Sequence, residues 1–409
     1  MFDQLRLNAW SAGVQDKLSL PLRLELWNGQ RVDFSTLPPR VTVRVPNAQA
    51  ARYLLSPSLY NLGKAYVEGA IEVTGRAVDM IAVVNALAKA SMKPAGRLAR
   101  ALRGVAHTRA RDAEAIRYHY DVSNEFYAEW LDPAMVYSCA YFENGDEDLA
   151  TAQAKKIDLI LAKIDLRPGQ SLLDIGCGWG ALAIRAAQRH GARCVGITLS
   201  ENQARLARER VERAGLRHQV EIRLQDYRDV RGQFDRVTSV GMFEHVGVAQ
   251  LPDYFRRIAS LLAPDGLVMN HGITSSNLDG ADAPFGGGEF IERYVFPQGE
   301  LAHIGTVLRA MQEGGLETRD VENLRRHYAR TCSLWTDNFE ANAERIAQHT
   351  DARHFRIWHV YLAGAAYAFT HDWISLYQVV CGKAGASPNT LPWSRRHIYE
   401  RMPGRATTS

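Results

Sequence analysis

Between residues 20 and 45 apolar and polar positions alternate, in LPLRLELWNGQRVDF and again in VTVRV, with Asn28-Gly29 set between two runs. Alternation with period two marks half-buried strands, and Asn-Gly is the dipeptide that tight hairpin turns favour. The spacing then changes. From residue 46 to 92 apolar positions recur at helical intervals, as at Ala48, Ala51, Leu54 and Leu55, and later at Met80, Val83, Val84 and Leu87. A β-rich start followed by helices predicts a small α+β unit over residues 1–95. Pro94 and Gly96 punctuate its end, and residues 96–115 read as a basic helical linker.

From Ser171 onward short β-branched runs alternate with amphipathic segments. Strands are expected at SLLDIGC, RCVGITL, VEIRLQD, FDRVTSVG and GLVMNHGI, with helices from Leu182 to Arg189, Gln203 to Ala214 and Leu251 to Leu262 between them. Alternating β and α units predict an α/β fold, a parallel sheet with helices on both faces. Gly286-Gly287-Gly288 reads as a flexible loop, helices resume near Leu301, and residues 386–409 read as an irregular tail. Residues 116–385 are thus expected to form the second and larger domain.

Composition adds limits. At 46% hydrophobic and 23% charged residues the 409-residue chain is ordinary globular protein, too long for one core. No apolar run reaches the length of a membrane span, and MFDQLRLNAW lacks the features of a signal peptide, so the expected location is cytoplasmic. Cys139, Cys177, Cys194, Cys332 and Cys381 form no CxxC pair and no zinc spacing, so free thiols and no metal are expected. The net charge of +4 identifies no partner, but Lys93 to Arg117 gathers seven basic residues, with Arg97, Arg100 and Arg103 along one helical face. That face suits either anionic lipid or plain solvent. No nucleic-acid motif accompanies it.

The densest chemistry lies in LLDIGCGWG, Leu172 to Gly180, which runs from a buried strand into a helix. Gly176, Gly178 and Gly180 allow a tight turn and close approach of a ligand, and Asp174 supplies charge there. Such a loop belongs at the carboxyl edge of a parallel sheet, where ligands bind. The spacing departs from the dinucleotide GxGxxG, which weakens a dehydrogenase reading. The second strand ends in GITLS with Glu201 one step later, in place of the acidic residue that many methyltransferases carry there. Gln225-Asp226-Tyr227 ends the third strand and could hydrogen-bond and stack on an adenine, although an Asp at such a position also serves as a cap.

Together with this loop, the motifs YHYDVSNEFYAEWLD (118–132), YSCAYF (137–142), GITLSENQ, LQDYRD, VGMFEHVG, FIERYVFPQGEL and SLYQVV closely resemble cyclopropane fatty acid synthases and the related mycolic acid methyltransferases. The resemblance spans residues 115 to 385. It implies a Rossmann-like S-adenosylmethionine-dependent methyltransferase domain. The first hundred residues resemble the lipid-contacting domain of the bacterial cyclopropane synthases, which favours phospholipid-borne acyl chains over carrier-bound ones. Peripheral attachment to the inner face of the membrane and a homodimer are implied as well.

By the same resemblance, S-adenosylmethionine is held by Tyr137, Ser138, Gly176, Gly178, Thr198, Leu199, Gln203, Asp226 and Tyr227. A bicarbonate ion is held by Cys139, Glu244, His271, Ile273 and Tyr328. The residues themselves point to part of this set, because Glu244 and His271 lie at the expected ends of the fourth and fifth strands and so face one crevice. A solitary His at a strand end is more often structural, and His245 competes for the role.

The implied reaction begins with a poor nucleophile, an alkene, held in line with the sulfonium methyl in a dry pocket. Methyl transfer leaves a carbocation, for which Tyr137, Phe142, Tyr294, Phe296, Tyr328 and Trp335 are candidate aromatic faces, or plain core. Loss of a proton from the added methyl then closes a cyclopropane, with bicarbonate as the base. Loss of a different proton gives a methylene or methyl branch. Ala365 stands where the family often has a cysteine, which excludes a thiol mechanism there; Cys139 is expected to serve as pocket wall. A non-catalytic lipid-binding protein and a methyltransferase of soluble metabolites are the readings from other classes.

Overall fold

The computed structural model describes residues 2–91, 122–278, 283–297, 299–387 and 390–400. The basic stretch from Lys93 to Arg117 and the first four residues of YHYDVSNEFYAEWLD lie outside them. Two compact units emerge, and neither follows a single cut in the chain. The first gathers Met1–Ala106, Asp282–Pro297 and Cys332–Trp373; the second gathers His107–Ala281, Gln298–Thr331 and Ile374–Ser409.

The first unit opens with a helix, Phe2–Gln15, where a β-rich start was expected. Its buried Leu7, Ser11 and Val14 fall at i, i+4 and i+7, a helical stripe. The expected hairpin follows. Strands β1 (Leu22–Leu26) and β2 (Arg31–Asp33) pair antiparallel around Asn28-Gly29, with Gly29 at φ 83°. Strands β3 (Val41–Val45) and β4 (Glu72–Thr74) complete a sheet of order β2-β1-β3-β4. The helices Leu59–Val67, Ala77–Ser91 and Ala352–Thr370 belong to the same unit, and Ile357 and Val360 share a core with Met80 and Val83. This shared core is why residues 332–373, expected with the larger domain, are grouped here.

Gly286-Gly287-Gly288 is not a loop. A short 3-10 turn, Pro284–Gly286, leads into a helix, Gly287–Tyr294, with Gly286 at φ 84° against Tyr60. The helix exists because Phe290 and Tyr294, four residues apart, enter the first unit's core; a Cβ on Gly63 would stand 2.8 Å from the Phe290 ring.

The second unit is a seven-stranded sheet flanked by helices. Strands β5 (Ser171–Ile175), β6 (Arg193–Thr198), β7 (Val220–Leu224), β8 (Phe234–Val240) and β9 (Leu262–Ser275) are parallel to one another, as the alternation predicts. The helices Ala181–His190, Glu201–Arg213 and Leu251–Leu261 fall within two residues of expectation. Two further strands, β10 (Leu316–Asn323) and β11 (Ile374–Lys383), extend the sheet antiparallel, giving the order β10-β11-β9-β8-β5-β6-β7. SLYQVV lies in β11. The tail expected to be irregular contains a helix, Arg396–Glu400, whose Ile398 packs on Leu159 and Ala162.

The chain leaves β5 for β6 on one side and β8 on the other, so the strand order reverses at β5. That reversal opens a crevice at the carboxyl ends of the strands. One close approach fixes its wall: on β9, a Cβ at Gly272 would come within 2.0 Å of the buried Phe243 ring. Gly272→Ala must therefore displace that ring, with an expected loss of about 1–3 kcal/mol in unfolding free energy by urea titration. An unchanged midpoint would show that the ring moves freely.

Candidate active site

The glycine loop turns sharply after β5. Gly176, Gly178 and Gly180 sit at φ 76°, 53° and 82°, the left-handed region that only glycine enters without strain. A Cβ on Gly176 would lie 2.6 Å from Met242, whereas one on Gly178 would meet nothing within 4 Å. The open side of Gly178 faces a cavity of about 140 Å³. Every residue expected to hold the cofactor lines this cavity except Asp226. The Asp226 carboxylate instead caps the 3-10 turn Tyr227–Asp229 and pairs with the Arg228 guanidinium at 2.7 Å. That is the capping role open to an Asp at this position.

Asp174 is buried beneath the loop and accepts from the Thr238 hydroxyl at 2.8 Å. Burial raises its carboxyl to about 6, against the opposing pull of Thr238 and the Lys156 charge. Lys156 also lines the cavity and was missed in the sequence. Its ammonium donates to the Ser138 hydroxyl at 2.6 Å, and burial brings it down to about 8, with Cys139, Asp132 and Asp174 opposing. A pointer existed: Lys156 and Lys163 are seven residues apart in AKKIDLILAK, on the face that also buries Leu159 and Ile160.

The segment around Ser138 is held by neighbouring side chains. Gln153 donates to the carbonyls of Val136 at 3.1 Å and Ser138 at 2.8 Å, and Asp132 accepts from the backbone of Ala134 and Val136. Cys139 is fully buried, its thiol directed at the Ala140 carbonyl, and burial pushes that thiol well up. Burial thus disfavours the thiolate that a nucleophile needs, and Cys139 is not among the residues that line the cavity. Of the aromatics considered for cation stabilisation, only Tyr137 lines the cavity. Tyr294 and Phe296 pack in the first unit, whose residues also include Trp335, and Phe142 already faces the Arg330 guanidinium at 5.2 Å.

Glu244 and His271 do not line this cavity; both are tied to β9 of the same unit. Glu244 sits in the 3-10 turn Phe243–His245, just beyond β8, and its Oε1 accepts from the Ile273 backbone N–H at 2.7 Å. Its Oε2 is buried with no partner. Burial raises this carboxyl to about 7, with the N–H groups of Ile273 and Glu244 pulling the other way. His271 lies within β9, paired with Val240, and is 1% exposed. Its Nδ1 meets the Gln378 amide at 3.2 Å, its Nε2 has no partner, and burial followed by the charges of Lys156 and Lys163 holds it neutral. His245 lines the glycine-loop cavity instead, and burial lowers it to about 4. Ile273 contributes its main chain. Tyr328 is buried in the first turn of the helix Arg325–Ala341.

A family model described as mycolic acid cyclopropane synthetase matches residues 107–379. The chain belongs to that family. Another model, described as a domain of unknown function, matches residues 9–95. A Pseudomonas putida protein named probable fatty acid methyltransferase is 46% identical over 93% of this chain and 97% of its own length. The Escherichia coli K12 cyclopropane-fatty-acyl-phospholipid synthase is 35% identical over 83% of this chain and 87% of its own. The solved structure of mycolic acid cyclopropane synthase CmaA1 complexed with SAH and CTAB has 34% identity and a TM-score of 0.64, covering 66% of this chain and 98% of that one. The family unites S-adenosylmethionine-dependent methyltransferases that modify lipids, as the motifs imply. Among the described residues no helix is long and apolar enough to cross a membrane, and all five cysteines are free and buried.

The environment of Glu244 has a measurable consequence for stability. The folded protein keeps this proton up to about pH 7, whereas the unfolded chain releases it near 4.5. The group therefore stabilises fully below the ordinary carboxyl range, and its contribution is lost as pH rises toward 7. In unfolding titrations, Glu244→Gln should gain about 3 kcal/mol on the wild type between about pH 5 and about pH 7.5. A pH-independent difference would mean that Glu244 is ionised throughout.

Proposed function

We propose that this enzyme transfers the methyl group of S-adenosylmethionine to the cis double bond of an unsaturated phospholipid acyl chain and closes a cyclopropane ring. The observation that carries the proposal is the pair of buried, unpartnered polar atoms, Glu244 Oε2 and His271 Nε2, in the unit that holds the cofactor cavity. A buried polar atom without a protein partner calls for a water, an ion or another ligand, and these two sit where β8 ends, Glu244 just beyond it and His271 opposite its last residue, Val240. A purely lipid-binding protein would have no use for them.

In this reading the glycine loop and the residues around it, Tyr137, Ser138, Asp174, Thr198, Leu199, Gln203, Gln225 and Tyr227, bind the methyl donor. Asp226 acts through the turn it caps. The donor's methyl is held toward the alkene at this cavity, so that positioning supplies much of the acceleration. A proton must then leave the methylated chain. The Glu244 and His271 atoms fit bicarbonate, whose single O–H needs an acceptor and whose other oxygens need donors. Bound there, that ion supplies a base for the proton. Glu244 supplies the acceptor, His271 offers the donor and the Ile273 N–H fixes Glu244; Cys139 and Tyr328 enter this reading through the resemblance alone.

The Escherichia coli relative's name supports the phospholipid substrate and the ring. A second reading has support too: the Pseudomonas relative is named only a fatty acid methyltransferase, and a Mycobacterium tuberculosis protein 35% identical over 91% of this chain is named a tuberculostearic acid methyltransferase. The product would then be a methyl or methylene branch from the same cation. Work on phospholipid implies docking at a bilayer surface, and the resemblance alone supports a dimer.

Incubation with methyl-labelled S-adenosylmethionine and vesicles of oleoyl phosphatidylglycerol should yield a cyclopropane acyl chain by mass spectrometry and NMR. A methylene or methyl branch would replace this proposal with the second reading. Glu244→Gln and His271→Ala should each cut kcat about 10²–10⁴-fold, with cofactor affinity by calorimetry retained. Full activity in both would remove the proton-handling role.

A further inference from the structure

One row of side chains runs in register across three neighbouring strands of the second unit. Glu322 on β10 stands opposite Gln378 on β11, and Gln378 stands opposite His271 on β9. Directly opposed residues share a face of the sheet. Lys163, at the end of the helix Leu149–Lys163, reaches this row from outside the sheet. Its Nζ donates to Gln378 Oε1 at 2.7 Å and pairs with the Glu322 carboxylate. Gln378 Nε2 stands 3.2 Å from His271 Nδ1, and Gln378, Lys163 and His271 are at most 1% exposed.

Donor chemistry leaves one arrangement. An ammonium has three donors and no acceptor, so the amide atom facing Lys163 must be the oxygen. The amide nitrogen then faces the imidazole, and because it only donates, Nδ1 must accept. A neutral imidazole whose Nδ1 accepts carries its proton on Nε2.

We propose that Lys163 and Gln378 are positioning residues that hold His271 in the Nε2–H tautomer, making it a fixed hydrogen-bond donor to the active site and never its base. Its unpartnered Nε2 then offers an N–H, while Glu244 Oε2 offers an acceptor. The pair is complementary to an anion that has one O–H of its own. A protonated imidazole is excluded as well, since Nδ1–H would oppose the amide NH₂. What the N–H is used for rests on the function proposed above; the tautomer does not.

The test uses the full-length protein labelled with ¹⁵N at both imidazole nitrogens, its His271 signals identified by their loss in His271→Gln. Without lipid, wild-type protein should show a proton-bearing Nε2 and a bare Nδ1 across the neutral pH range. In Gln378→Glu the carboxylate can only accept, so the proton should move to Nδ1, with kcat on unsaturated phospholipid falling about 10- to 100-fold and cofactor affinity unchanged. Lys163→Met, which frees the amide to turn over, should give a mixture of tautomers and carries the test if the Glu variant does not fold. A wild-type Nδ1–H form, an unmoved proton in the variants, or an unchanged kcat after the proton has moved would each overturn the proposal. Wild-type protein inactive on lipid would instead sink the methyl-transfer reading, and the tautomer would still be read.

Discussion

Removing charge from water is the constraint on which the second unit's polar architecture depends. The helix Leu149–Lys163 buries two ammonium groups, Lys156 at 2% and Lys163 at 1% exposure. Each costs several kcal/mol unless its donors are met. Lys156 is met by the Ser138 hydroxyl, with Asp132 and Asp174 supplying opposite charge. Lys163 is met by Gln378 and by Glu322 and Asp320, which Arg395 in turn engages. Satisfying the first lysine anchors a cavity wall; satisfying the second orients the amide beside His271. One amphipathic helix thus supports both the glycine-loop cavity and the side chains around His271.

The same desolvation acts on the two charged side chains that line the cavity. Lys156 is brought down to about 8 and Asp174 up to about 6, so neither charge is held strongly. A sulfonium entering the cavity favours the ionised form of Asp174 and disfavours the charged form of Lys156. The Cys139 thiol, directed at the Ala140 carbonyl, is favoured in its neutral form by burial.

The parallel strands were legible because each is a short apolar run followed by a periodic helix, and the hairpin because Asn28-Gly29 admits positive φ. The helix Phe2–Gln15 was hidden: its buried stripe includes Ser11, so its apolar spacing is broken. The three glycines at 286–288 misled for the opposite reason, because local preference favours a loop while Phe290 and Tyr294 reward a helix. Strands β10 and β11, at one side of the sheet, went unseen, since β10 carries Glu317, Arg319, Asp320 and Glu322 and owes its pairing to a partner more than fifty residues away. At the site, motifs located the glycine loop and Glu244, but no local pattern reveals that Lys163, Gln378 and His271 touch. Their neighbours in sequence are ordinary core; the antiparallel register of β11 against β9 brings Gln378 to His271, and the end of the helix Leu149–Lys163 brings the ammonium.

The position of Glu244 follows from where a parallel ladder gives out. Strand β8 ends at Val240 while β9 continues to Ser275, so the Ile273 N–H has lost the strand that would have taken its hydrogen bond. A buried N–H must find another acceptor. Because Gly272 has no side chain, the Phe243 ring can lie flat against β9, and the next residue, Glu244, is thereby set with Oε1 on that N–H. One carboxylate oxygen does the work of a missing strand. The other is left in the dry interior with nothing to satisfy it, which raises the proton affinity of the whole group. The structural repair and the chemical capacity are the same arrangement, and a side chain that only repaired the ladder, such as Gln, would mend the backbone without creating an acceptor able to take up a proton near neutral pH.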